Sequence, residues 1–214
     1  MSKRIVALIS GSGSNLQAIL DHCQQGSIQG QVVAVVSNRD DAFGLKRAEM
    51  AGIPGHFIDH RRFDGREAFD LALIEQIDAY QPDLVVLAGF MRILSPGFVR
   101  HYDGRLFNIH PSLLPRYKGL NTHQRVMDAG DPEHGCTVHF VTEELDGGPL
   151  VIQARTAVLT SDDSASLQAR VHTLEHQIYP LAVSWFCADR LQQTDEGVQL
   201  DGVLLPASGF QLET

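Results

Sequence analysis

The chain has 214 residues, 43% hydrophobic and 20% charged, with a formal net charge of -9, the balance of an ordinary soluble globular protein of one large domain or two small ones. That acidity argues against an electrostatic grip on nucleic acid, which needs a concentrated basic face, so any anionic substrate must meet local positive groups. No stretch approaches the roughly 20 consecutive apolar residues of a membrane span, and no cleavable signal pattern precedes the first apolar run, so a cytoplasmic setting without membrane attachment is expected. Cys23, Cys136 and Cys187 lie outside any C-x-x-C, and His56, His60, His101, His123 and His134 show no ligand spacing. Neither a disulfide framework nor a metal site is expected.

Short runs rich in Val, Ile and Leu alternate with helix-period segments, the signature of βαβ units. Residues 4–10 read as the first strand, 15–25 as a helix, 31–37 as a strand, 44–51 as a helix and 55–58 as a strand. A helix over 62–80 places Phe69, Leu73, Ile77 and Tyr80 on one stripe. Residues 84–87, apolar throughout, fit a strand buried on both faces. Residues 106–109, 135–141 and 150–156 read as further strands. A helix over 164–191 carries Leu167, Val171, Leu174, Ile178 and Leu181 at helical spacing, and Pro180 predicts a kink or break. Segments 198–200 and 203–205 flank Asp201-Gly202 as a terminal hairpin. The expected fold is α/β, a Rossmann-like three-layer sandwich with a mainly parallel sheet of about seven strands and helices on both faces.

Three segments carry chemistry. Ser10-Gly11-Ser12-Gly13-Ser14-Asn15-Leu16 links a strand to a helix and gathers backbone N–H groups at a positive helix end, which suits a phosphate. Leu16 stands where the third glycine of a dinucleotide fingerprint belongs, and no Gly-Lys-Ser/Thr follows, so a nicotinamide cofactor is disfavoured. The plainer reading is a turn with Asn15 as N-cap. Asn108 and His110 lie two apart on a strand and leave one face, while Pro111 holds His110 extended. Asp146, with Gly147, Gly148 and Pro149, forms a sharp turn that can bring a carboxylate to a strand end. An amide, an imidazole and a carboxylate together can stabilise an oxyanion and handle a proton. Taken singly, Asn108 also reads as a turn cap and His110 as a satisfied core residue.

These segments, with residues 9–18, Ser37-Asn38, 42–45, 87–95 and 139–148, resemble the phosphoribosylglycinamide formyltransferases of purine biosynthesis, which use 10-formyltetrahydrofolate. The resemblance implies one formyltransferase domain over 1–214, with a nucleotide-substrate half at about 1–100, a folate and catalytic half at about 84–190 and a terminal hairpin at 197–206. It implies that Asn108, His110 and Asp146 are catalytic, and that Gly13, Ser14, Asn15, Leu16, Gln17 and Glu175 bind the phosphoribosyl substrate. Arg66, Met91, Arg92, Ile93, Leu94 and Val141, with Asn108 and Asp146, would meet the folate. By themselves Phe90, Met91, Ile93 and Leu94 read as core, and Glu175 as an exposed helix acid. The co-substrate would be 10-formyltetrahydrofolate, without metal, and the protein a monomer or weak homodimer.

The chain departs from this pattern after Pro115. Asn121 stands where the family commonly has the first histidine of His-x-His, which leaves only a neutral hydrogen bond available toward Asp146, and Lys118 adds a cation that either meets an anion or is solvated. A formyltetrahydrofolate hydrolase would share the trio but usually carries an amino-terminal regulatory domain. A formyltransferase of charged initiator tRNA would usually carry a basic carboxy-terminal domain. An anion-sensing module would use only the glycine-serine loop.

Overall fold

A computed structural model describes residues 2–213. In chain order the elements are β1 (Lys3–Ile9), α1 (Ser14–Gln24), β2 (Gly30–Ser37), α2 (Phe43–Met50), β3 (Gly55–Phe57), a 3-10 turn (His60–Arg62), α3 (Arg66–Asp78), β4 (Leu84–Leu87), α4 (Pro96–His101), β5 (Leu106–His110), α5 (Thr122–Ala129), β6 (Glu133–Phe140), β7 (Leu150–Ala157), α6 (Ser164–Cys187), β8 (Leu191–Thr194), β9 (Gly197–Leu200), β10 (Val203–Leu204) and β11 (Phe210–Leu212). The central sheet is mostly parallel, with eight strands in the order β11-β7-β6-β5-β4-β1-β2-β3, and a second sheet has the order β10-β9-β8. Beyond the seven or so strands expected, the central sheet gains β11, whose Phe210, Gln211 and Leu212 pair in parallel with β7. Three residues cannot establish a period-2 pattern on their own.

The chain divides into two compact units, Met1–Asn108 and Ile109–Thr214. In the first, β1 pairs in parallel with β2 on one side and β4 on the other. Ile5, Val6, Ala7, Leu8 and Ile9 are fully buried, because a parallel strand covered on both faces has no polar side to alternate with. The chain runs outward from β1 through β2 to β3 and resumes at β4 on the opposite side, so the carboxyl ends of β1 and β4 flank a topological switch point where α/β sheets place ligands. The predicted helix over 62–80 is two elements. Asp59 caps the 3-10 turn by accepting from the Arg61 N–H, and Gly65 at φ 100° separates that turn from α3. The unpredicted α4 has its own signals, Ser95 accepting from the Phe98 N–H and Pro96 in the first turn.

In the second unit β6 and β7 are antiparallel and α6 packs on both. The break expected at Pro180 is absent, since α6 runs unbroken with buried side chains on both sides of it, Val171 and Leu174 before and Ala182 and Val183 after. Packing along the sheet outweighs the one backbone bond that proline removes. Instead the helix ends at Cys187, four residues short of expectation, where Asp189 adopts φ 55° and Arg190 donates back to the Trp185 carbonyl. The hairpin of β9 and β10 forms as predicted, with Asp201 and Gly202 both at positive φ.

Three histidines, His134 and His139 buried and His123 half-buried, make this unit sensitive to acid. The His123 and His134 rings meet at 2.9 Å. Burial, then charge on neighbouring histidines, lowers each to about 4 from 6.5. Burial lowers His139 to about 4 as well. A histidine whose folded pKa is depressed contributes stability that is complete above the unfolded value of 6.5 and lost as pH falls toward 4. The melting temperature is therefore expected to drop steeply between these values, measurable by calorimetry across buffers. A flat profile would mean that these rings open to solvent.

Among the described residues no helix is long and apolar enough to cross a membrane.

Candidate active site

His110 ends β5 with 6% exposure, and Asn108, half-buried, precedes it by two residues on the same face while Ile109 points away into packing. The turn after β5 is clamped by polar contacts inside the second unit. Ser112 donates its N–H to the His110 carbonyl (2.9 Å), and the Thr137 hydroxyl donates to the Ser112 carbonyl (2.6 Å). Gln153 donates to the Leu114 carbonyl (2.8 Å) and to Thr137 Oγ1 (3.0 Å). Such a satisfied buried network fixes the direction of His110.

Asp146 approaches His110 with Oδ2 3.5 Å from Nδ1, both side chains being more than nine-tenths buried. Its backbone sits at φ 48°, a conformation aspartate tolerates. Gly148 follows because a Cβ there would overlap the Phe140 carbonyl. The Gly119 N–H donates to Asp146 Oδ2 (2.8 Å), and His139 Nε2 lies 3.9 Å from Oδ1. His139 Nδ1 donates to the Phe140 carbonyl (2.8 Å). With burial lowering His139 to about 4, that ring is neutral near pH 7 and turns a bare nitrogen toward Oδ1. His110 Nε2 donates to the Tyr117 carbonyl (2.9 Å), so Nδ1 can donate to Asp146 only when the ring carries both protons. The arrangement sets an imidazole that can carry two protons against a carboxylate whose second oxygen can accept one.

In the first unit Gly13 caps α1 at φ 70°, and a Cβ there would lie 2.7 Å from the Gly44 backbone. Gly44 in turn donates to the Gly11 carbonyl (3.0 Å). Only glycine at both places lets the loop and α2 approach so closely. The cap is thus Gly13, not Asn15, which is buried one residue inside the helix. Leu16 is wholly buried and anchors the first turn. Arg47 reaches over from α2 to donate to the Ser12 carbonyl (2.8 Å) and to Gln17 Oε1 (3.1 Å), placing a cation on the loop.

Met91 and Ile93 are 69% and 62% exposed, so they are not core. Their segment is fixed at both ends: Met91 donates its N–H to Ser10 Oγ (2.8 Å), and Ser95 donates its N–H to buried Asp70 of α3 (2.5 Å). Arg66 opens α3, 3.9 Å from Glu67 and exposed. In the second unit Glu175 is 4% exposed, contrary to an exposed helix acid, and its charge adds to burial in raising the Cys136 thiol. Val141 is half-buried just after β6. Among the described residues no group of three or more His, Cys, Asp or Glu is placed to hold a metal.

The formyl transferase family matches residues 3–183. The chain belongs to that family. It is 58% identical over 206 residues to the phosphoribosylglycinamide formyltransferase of Escherichia coli strain K12, covering 96% of this chain and 97% of that one. It is 46% identical to the protein of the same name from Haemophilus influenzae, covering 99% and 100%. The solved phosphoribosylglycinamide formyltransferase of Coxiella burnetii superposes with a TM-score of 0.96 at 52% identity, covering both chains completely.

Within the formyl transferase frame, both departures after Pro115 have a place. Asn121 is exposed at φ 56° ahead of α5, and Gly119 supplies a backbone donor to Asp146 nearby. Lys118 pairs with Glu144 (2.7 Å). Sequence reasoning did not assign His139, the second of two histidines in β6, nor Arg47, whose approach to the loop depends on tertiary packing. Nothing local marks the Tyr117 carbonyl that holds His110.

Proposed function

We propose that this chain transfers the formyl group of 10-formyltetrahydrofolate to the amine of 5'-phosphoribosylglycinamide in purine biosynthesis, in the cytoplasm. The observation that carries the reading is the buried His110–Asp146 pair at 3.5 Å, with Asn108 two residues earlier on β5. The amine attacks the formyl carbon, forming a C–N bond as the carbonyl oxygen becomes an oxyanion. Asn108 and the protonated His110 ring donate to that oxyanion, which competes with the Tyr117 carbonyl for the Nε2–H. Asp146 faces His110 Nδ1 as its counter-ion when the ring carries both protons, and takes the amine proton, directly or through water. Collapse of the intermediate breaks the bond to folate N10, which leaves protonated. The loop around Gly13, Ser14, Asn15, Leu16 and Gln17, with Arg47, would receive the phosphate, and Glu175 the ribose hydroxyls or glycinamide portion. Met91, Arg92, Ile93, Leu94 and Val141 would wall the folate.

A coupled absorbance assay with phosphoribosylglycinamide present or omitted tests the reading. Folate release is expected only when the amine is present, and equal release without it would indicate hydrolysis. Arg66 is assigned to the folate tail carboxylate, so Arg66→Ala is expected to raise the folate KM roughly tenfold with a smaller change in kcat. An effect confined to kcat would contradict the placement.

A further inference from the structure

The loop between β5 and α5 touches both members of the His110–Asp146 pair through its backbone alone. The Tyr117 carbonyl accepts from His110 Nε2 (2.9 Å), and the Gly119 N–H donates to Asp146 Oδ2 (2.8 Å). The remaining carbonyls of this stretch, those of Lys118 and Leu120, both accept from Arg125 Nη1 of α5 (2.7 and 3.3 Å). The Lys118 carbonyl and the Gly119 N–H belong to one peptide unit, so Arg125 and Asp146 hold its two edges. A carbonyl that accepts from a guanidinium also polarises the N–H across the same peptide.

This stretch needs holding. Tyr117 sits at φ 56°, a left-handed conformation that a bulky side chain adopts only where its surroundings enforce it. Three attachments are available. Lys118 pairs with Glu144 at 2.7 Å, but Glu144 is 71% exposed and such a pair contributes little in water. Asp131 accepts from the Arg116 guanidinium and the Tyr117 hydroxyl, which anchors side chains leading into the loop and none of its peptides. Arg125 alone of the three binds the peptides themselves, and its guanidinium also lies 5.4 Å from the Tyr117 ring centroid.

We infer that Arg125 is a positioning residue for the reaction: its grip on the Lys118–Gly119 peptide keeps the opposite N–H on Asp146 and the Tyr117 carbonyl on His110. The inference rests on the catalytic reading of that pair above. A ring released from the Tyr117 carbonyl is free to turn, and a carboxylate released from Gly119 loses a contact that sets its direction. Losing Arg125 therefore costs preorganisation, although its own hydrogen bonds go only to the loop.

The test uses Arg125→Met, which keeps an apolar stem beside Tyr117 and removes every donor. Its kcat is expected to fall roughly tenfold, the scale of one charge-assisted hydrogen bond, with both KM values within about twofold of wild type. The same substitution placed in Asp146→Asn is expected to lower kcat by no more than about twofold further, since a disabled pair gains little from being aimed. Gln124→Met, at the neighbouring exposed position of α5, should leave kcat unchanged. An unchanged or raised kcat in Arg125→Met, an effect confined to KM, an equal loss in Gln124→Met, or the same fold loss in both backgrounds overturns the inference while leaving the reaction standing. A near-normal kcat in Asp146→Asn alone would instead defeat the catalytic reading of the pair.

Discussion

Asp146→Asn is expected to lower kcat by ~100-fold or more with the protein folded, the usual cost of removing an acid-base partner. The side chain changes little in volume, and the amide can still accept from the Gly119 N–H, so the turn survives. What disappears is the charge facing His110 Nδ1 at 3.5 Å. Without it the doubly protonated ring loses its counter-ion, and because Nε2–H is directed at the Tyr117 carbonyl, a neutral ring would leave its bare nitrogen against the new amide. His139 cannot substitute, being neutral with its proton committed to the Phe140 carbonyl. Steady-state rates with both substrates saturating measure the effect, and a near-normal kcat would remove Asp146 from the chemistry.

Asn108→Ala is the companion case, also expected to cost ~100-fold or more in kcat, from the loss of one oxyanion donor. Asn108 pairs in register with Leu87 through the backbone of β5 and β4, which alanine retains. The loss should fall on kcat and kcat/KM alike, because the donor acts only as charge develops on the oxygen. Thermal melting distinguishes this from misfolding. A variant raised in KM alone would identify Asn108 as a ground-state binding group.

The parts of this site that sequence made legible are those governed by local geometry. The period of a strand put Asn108 and His110 on one face, and the glycines after Asp146 announced a sharp turn. The parallel strands of the first unit were equally plain because burial on both faces leaves an unbroken apolar run, as in β1 and β4. What stayed hidden depends on distant chain. Arg47 reaches Ser12 across 35 positions, and His139 gains its meaning only because Asp146 folds back beside it. Gly65 could be read as one weak residue within a helix, whereas its φ of 100° divides two elements. Pro180 misled in the opposite direction, since packing on the sheet carries α6 through it. The exposure of Met91 and Ile93 likewise follows from how Ser10 and Asp70 fix the ends of their segment, which composition alone cannot reveal.

A double-mutant cycle on kcat, with Asn108→Ala and Asp146→Asn alone and combined, most directly tests whether the two side chains serve one transition state. Groups that act as a unit are strongly non-additive, so the double variant should lose little more than the worse single variant, far short of the roughly 10,000-fold product of two independent losses. Losses that multiply in full would show that Asn108 and Asp146 act on separate steps, and the shared site proposed for formyl transfer would not stand.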